Sequence, residues 1–151
     1  MSTFAEDKEA GLRFQDAVVR KAHDYGWLIS IYSSEYYQQL YGEGLSGVEI
    51  KYDRQMAKTG NLFFETCFKN SKGIWTNSGI YSDGHWLFVI GDYEECFVFF
   101  SKQLRYWAEK GTFRDIERTN SRGMLMPVEK ARHFAAGMTI LLGGERYGEQ
   151  G

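Results

Sequence analysis

The chain has 151 residues, with 18 Lys and Arg against 20 Asp and Glu, for a net charge of −2. With one Pro, 43% hydrophobic and 25% charged residues it is not a largely disordered chain, and no apolar run reaches the ~18 residues that cross a bilayer. The length suits a single domain, and a uniformly basic nucleic-acid coat is excluded. The acidic residues 1–9 lack the apolar stretch of a secretory signal, which predicts a cytoplasmic protein with no membrane association. Cys67 and Cys96 form neither CxxC nor a zinc spacing, which predicts buried, reduced thiols. Aromatic residues make up 17%, enough for a dense core at this size.

Along the chain, Phe14, Ala17, Val18, Ala22 and Tyr25 recur at helical spacing, so residues 6–25 are predicted to form an amphipathic helix closed by Gly26. Residues 27–32 read as a strand. Residues 33–46 read as a loop whose Tyr36, Tyr37 and Tyr41 either pack or stack on bases. Residues 48–53 alternate, with Val48, Ile50 and Tyr52 on one face and Glu49, Lys51 and Asp53 on the other. Residues 61–68 form the next predicted strand, and 69–85 a long hairpin or loop. Residues 86–90 and 96–100 are nearly continuous apolar runs, as in strands buried on both faces, joined by a turn at Gly91, Asp92 and Tyr93. Ser101 is the expected cap of a helix that Gly111 closes; 112–123 is basic and polar; 124–126 is a short strand. Pro127 opens a last helix carrying Val128, Ala131, Ala135 and Met138, and residues 143–151 form a flexible tail. The sum is a mixed α/β sandwich around one sheet, with a core over about 9–110 and a strand and helix extension over 111–142.

Charge is distributed in blocks. Residues 1–50 sum to −4, 51–72 to +3, 73–101 to −4 and 102–132 to +4. Ordinary solvated surfaces vary in this way, and so does a polyanion site with carboxylates at its centre and a basic rim. Glu43 precedes the alternating strand, and Glu49 and Lys51 share a face of it. Two carboxylates with the Ile50 backbone carbonyl make the hard-oxygen set that Mg²⁺ takes, and Lys51 suits the holding of a water and the neutralisation of developing charge. The same spacing also fits a solvent-facing ion pair, and Glu-x-Lys recurs at Glu6, Asp7 and Lys8. His23, His85 and His133 have no metal-ligand spacing and read as surface or partly buried residues.

A longer pattern surrounds this strand. Gly47-Val48-Glu49-Ile50-Lys51-Tyr52-Asp53 is followed by Thr59-Gly60-Asn61 and a strand reaching Glu65. Ser78-Gly79-Ile80-Tyr81 and Asp83-Gly84-His85-Trp86 come next. In this order, over about residues 9–105, the chain resembles a group of phage and prophage proteins in the PD-(D/E)XK, restriction-endonuclease-like superfamily. The resemblance implies an αβββαβ core, a mixed central sheet flanked by helices, and a metal-dependent nuclease that hydrolyses DNA phosphodiester bonds with Mg²⁺ or Mn²⁺ in a bacterial or phage-infected cell. Glu49 matches the second acidic ligand and Lys51 the motif lysine. Glu43 stands where the superfamily usually has Asp, and Gln15 where many members carry a helix Glu; the Pro of the name is absent. Gln15 either reaches the metal's water or lies on the helix surface. Asp53 is expected to pair with Lys51 or Arg54, and Glu65 either orients Lys51 or is a surface residue. Arg54, Lys58, Lys69 and Lys72 are the expected phosphate contacts. The Glu43 and Gln15 departures also suit a non-catalytic DNA- or protein-binding module of the same fold, and a homodimer is expected by analogy.

Overall fold

The computed structural model describes residues 3–24, 47–135 and, for the backbone alone, 139–141. The expected strand at 27–32, the loop at 33–46 with Glu43 and its three tyrosines, Met138 and the tail lie outside the described residues.

Helix α1 (Phe4–Asp24) starts at a reciprocal capping box: Thr3 N donates to Glu6 Oε2 at 2.7 Å and Glu6 N to Thr3 Oγ1 at 3.1 Å. Its apolar stripe meets the first sheet. That sheet contains β1 (Val48–Tyr52), β4 (Leu87–Gly91), β5 (Glu95–Phe100) and β8 (Thr139–Leu141), in that spatial order. β1 runs parallel to β4 and the other pairs are antiparallel, so the sheet is mixed. Phe14, Ala17 and Val18 pack on Val48, Ile50, Val89 and Val98. Phe14 stacks on Tyr52 at 4.6 Å and meets Tyr93 edge-on at 5.4 Å.

The strands do not surround one sheet, as the sequence reading expects, but divide between two. The second sheet is antiparallel, with β3 (Trp75–Asn77), β2 (Asn61–Lys69), β7 (Ser121–Pro127) and β6 (Arg114–Glu117) in spatial order. Its inner residues Leu62, Phe64, Met124 and Met126 meet Phe88, Ile90, Phe97 and Phe99 of the first sheet. Four of these are fully buried phenylalanines, and Phe64 lies 5.4 Å from Phe99 and 5.9 Å from Phe88. Much of the aromatic excess is therefore spent between the sheets. β3, β6 and the start of β7 lie in stretches expected to be loop or basic and polar. β3 and most of β6 are exposed, so no apolar alternation marks them.

Helix α2 (Met56–Thr59) links β1 to β2, and a 3₁₀ turn (Gly79–Tyr81) links β3 to β4. Helices α3 (Ser101–Lys110) and α4 (Val128–Phe134) close one end of the inter-sheet core through Leu104 and Ala131. Gly111 ends α3 in a left-handed conformation as expected, but Ser101 is not its cap: Phe100 takes that position and the Ser101 hydroxyl turns inward. Pro127 likewise sits one residue before α4. Among the described residues no helix is long and apolar enough to cross a membrane.

Candidate active site

Glu49 and Lys51 stand in register beside Phe88 and Ile90, on the face of β1 that looks toward the second sheet. At this edge the two sheets part. Lys51, Glu65, Phe63, Phe88 and Ile90 line the resulting cleft of about 360 Å³. Lys51 Nζ lies 3.0 Å from Glu49 Oε1. The Glu49 side chain is only 10% exposed and that of Lys51 is 45% exposed. This is not the solvent-facing pair that spacing alone allows. A carboxylate is buried at the cost of its hydration, and a half-exposed ammonium at the cleft compensates it.

The neighbouring acids have different tasks. Asp53 follows the end of β1, where its Oδ1 accepts from Gln55 N at 3.0 Å and its Oδ2 from Phe63 N at 2.9 Å. It ties β1 to β2 through backbone groups rather than pairing with Lys51 or Arg54; Arg54 Nη1 instead meets Asp7 Oδ1 at 2.9 Å. Glu65 is no plain surface residue. It lines the cleft with Lys51 and accepts from Ser78 Oγ at 2.8 Å.

The wall next to Glu65 is the 3₁₀ turn. Gly79 has φ +58°, and a Cβ there would lie 2.1 Å from the Glu65 carbonyl oxygen. Only glycine lets the turn press this closely on β2. His85 fixes the turn from behind. It is 7% exposed, contrary to the surface or partly buried position expected. Its Nε2 lies 3.2 Å from the Gly79 carbonyl and its Nδ1 2.6 Å from Ser101 Oγ. A carbonyl only accepts, so Nε2 carries the proton and Nδ1 of the neutral ring accepts from the Ser101 hydroxyl. Burial pushes the His85 pKa below its ordinary value, and the nearby Glu49 carboxylate opposes that shift. Arg105 adds a third hold, donating from Nε to the Ile80 carbonyl at 2.8 Å. Ser78, Gly79, His85, Ser101 and Arg105 thus form a frame behind Glu65 and Glu49. The sequence flagged the Ser-Gly-Ile segment and His85 but gave no sign that Ser101 and Arg105 join them.

Gln15 is also buried, at 6% exposure, so the helix-surface alternative does not hold. Its Oε1 has no hydrogen-bond partner among the described residues. It lines a cavity of about 460 Å³ with Ile50, Lys51 and Tyr52, on the α1 side of β1. A buried amide oxygen left unpaired costs roughly 1–3 kcal/mol.

Among the described residues no three His, Cys, Asp or Glu side chains cluster as a metal site, and Glu43 lies outside them. β1 turns the Glu49 carboxylate toward the second sheet, while the Gln15 amide, unpaired among the described residues, lies on the α1 side beside Ile50; the donors on both sides of the strand are oxygens. Such a set fits Mg²⁺ or Mn²⁺ better than a soft metal.

Of the expected phosphate contacts, Lys58, Lys69 and Lys72 are exposed, whereas Arg54 is engaged with Asp7. One basic residue escaped the residue-level reading. Arg118, in the turn between β6 and β7, lines the cleft with its guanidinium 3.9 Å above the Phe63 ring. The positive block at 102–132 was its only sequence signal. Cys96 is buried and Cys67 half-buried; burial raises the Cys96 pKa well above the ordinary thiol value, so it is inert. No family model, curated protein or solved structure matches the chain.

Proposed function

We propose that the chain is a metal-dependent nuclease of the restriction-endonuclease-like type, an αβββαβ core that hydrolyses DNA phosphodiester bonds. One observation carries this reading: a buried carboxylate, Glu49, has Lys51 Nζ at 3.0 Å on the edge of an open cleft. The motif order around that strand supports it, as do the oxygen donors flanking the strand, among them Gln15 Oε1, which has no partner among the described residues.

In hydrolysis a water oxygen adds to phosphorus, the bond to the leaving sugar oxygen breaks, and the water's proton passes to the leaving oxygen or to solvent. Glu49 and the Ile50 carbonyl, with Glu43, would hold the Mg²⁺ or Mn²⁺ ion, with the Gln15 amide in a supporting place; when bound the ion acidifies water and offsets phosphate charge. Lys51 presents its ammonium to the cleft, where it orients the attacking water and neutralises charge developing on the phosphate. Glu65, braced by Ser78, lines the same cleft and adds a second negative group to the one that Glu49 sets beside Lys51. Arg118 and the exposed Lys58, Lys69 and Lys72 supply the positive rim that seats the backbone.

Calorimetric titration with Mn²⁺ tests the binding half of this proposal. Wild-type protein is expected to take up the ion at a site that Glu49→Ala removes. Equal uptake by both proteins, or uptake by neither, contradicts it. Incubation with Mg²⁺ and linear or circular DNA tests the chemical half, with cleavage expected and EDTA abolishing it. A protein that binds DNA but neither binds metal nor cuts belongs to the non-catalytic alternative.

A further inference from the structure

We infer that Ser101, at the start of α3, is a positioning residue: through His85 it holds the 78–81 turn on β2 and so fixes Glu65 in the wall of the cleft. Its effect on rate rests on the nuclease reading; the linkage itself does not.

The neutral His85 ring has one arrangement that satisfies both of its nitrogens. Ser101 Oγ lies 2.6 Å from Nδ1, and the Gly79 carbonyl 3.2 Å from Nε2. In the opposite tautomer a bare Nε2 lone pair would face the carbonyl oxygen, two acceptors with no proton between them. The Ser101 hydroxyl turns its proton to Nδ1 and so favours the tautomer with hydrogen on Nε2. Ser101 is fully buried and His85 nearly so, so bulk water does not compete for these bonds. The ring is also confined, 5.7 Å from that of Phe88, which lines the cleft.

Ser101 is itself anchored without its hydroxyl. Its N donates to the Trp86 carbonyl at 2.9 Å, which ties it to the chain just past His85. One turn further along α3, Arg105 donates from Nε to the Ile80 carbonyl at 2.8 Å and from Nη2 to the His85 carbonyl at 3.4 Å. The first half of α3 therefore holds both ends of the 80–86 segment, and Leu104 beside it seats the helix on the inter-sheet core.

Glu65 stands at the other end of the linkage. Ser78 Oγ donates to Glu65 Oε2 at 2.8 Å, and Ser78 N to the Thr66 carbonyl at 3.0 Å. Gly79 sits so close to β2 that a Cβ there would lie 2.1 Å from the Glu65 carbonyl oxygen. The contact has no slack to absorb a displacement of the turn, so a shift at His85 passes to the backbone and carboxylate of Glu65. Glu65 lines the cleft with Lys51, whereas Ser101 does not line it and acts on it through His85.

In Mg²⁺-dependent DNA cleavage, Ser101→Ala is expected to lower kcat about tenfold and to change KM by less than about twofold. His85→Phe keeps a ring but removes both nitrogens and is expected to lower kcat by a similar factor; adding Ser101→Ala to it should cost less than about twofold more. Losses that multiply in the double variant, or a Ser101→Ala protein with the wild-type kcat, overturn the inference. Nitrogen-15 NMR of the His85 ring tests the linkage without cleavage. Wild-type protein is expected to carry the ring proton on Nε2, and Ser101→Ala to shift both ring nitrogens and the side-chain carboxyl carbon of Glu65. A wild-type ring protonated on Nδ1, or a Glu65 resonance unmoved in the variant, overturns the inference whether or not the protein cuts. Circular dichroism checks folding, and the wild-type ring measurement decides the matter if a variant does not fold. A wild-type protein that cuts no DNA overturns the nuclease reading alone and leaves the linkage to the NMR result.

Discussion

The two faces of the first sheet make opposite use of the same strands. On one face α1 lies along β1, β4 and β5, and Phe14, Ala17, Val18, Val48, Ile50, Val89 and Val98 form an apolar seam. On the other, the second sheet closes tightly over β4 and β5 through four buried phenylalanines but parts from β1. Lys51 lines that parting and the buried Glu49 pairs with it, within two residues of Val48 and Ile50 on the sealed face. The proposed site thus lies where one layer stops covering an edge strand, with an apolar seal on the strand's reverse side. Alternation within one five-residue strand produces both outcomes.

The strongest way to break this contrast is to open the sealed part of the inter-sheet face. Phe97 is fully buried there and away from the cleft, and Phe97→Ala should cost about 3–5 kcal/mol of stability. Urea unfolding reads this directly; a loss below about 1 kcal/mol would mean that the sheets are not packed as described. A smaller effect is expected at the wall of the cleft. Gly79→Ala forces a Cβ against the Glu65 carbonyl from a left-handed backbone, at a cost of about 2–3 kcal/mol, and should also slow Mg²⁺-dependent cleavage by displacing Glu65. A variant with unchanged stability would contradict the close approach of the turn to β2.

The smallest effect concerns His85 and pH. Burial holds its folded-state pKa below the ordinary 6.5, so between the two values the unfolded chain binds more protons than the native one. Stability from this group is complete above about pH 6.5, falls as pH drops below it, and levels off beneath the lowered value. His85→Gln should therefore flatten the decline in unfolding free energy between pH 7 and pH 5. An unaltered decline would assign the pH dependence to other groups.

Much of this arrangement was legible in the chain. The spacing of Phe14, Ala17, Val18 and Ala22 marked α1, strict alternation marked β1, and unbroken apolar runs marked β4 and β5, because each element buries a face whose period the sequence must match. β6 was not legible: an exposed strand such as Arg114–Glu117 is held by backbone pairing to β7, which leaves no hydrophobic imprint. Glu49 and Lys51 could be picked out as a pair, but not that the glutamate would be buried, since burial depends on the second sheet. Asp53 illustrates the same limit. Its carboxylate serves backbone N–H groups of Gln55 and Phe63, and such partners have no side-chain signature. Ser101 meets His85, and Arg105 the Ile80 carbonyl, only after the chain folds back, so no local motif announces them.

The most direct test of the central claim is the initial rate of duplex cleavage in Mg²⁺ for Glu49→Gln and Lys51→Gln beside wild type, with thermal unfolding recorded on the same samples. Glu49→Gln keeps the shape of the side chain and a hydrogen bond to Lys51 but removes the charge. Each change is expected to lower the rate by at least about 100-fold while the protein stays folded. Wild-type cleavage by either folded variant would contradict the assignment of Glu49 and Lys51 as the reacting centre.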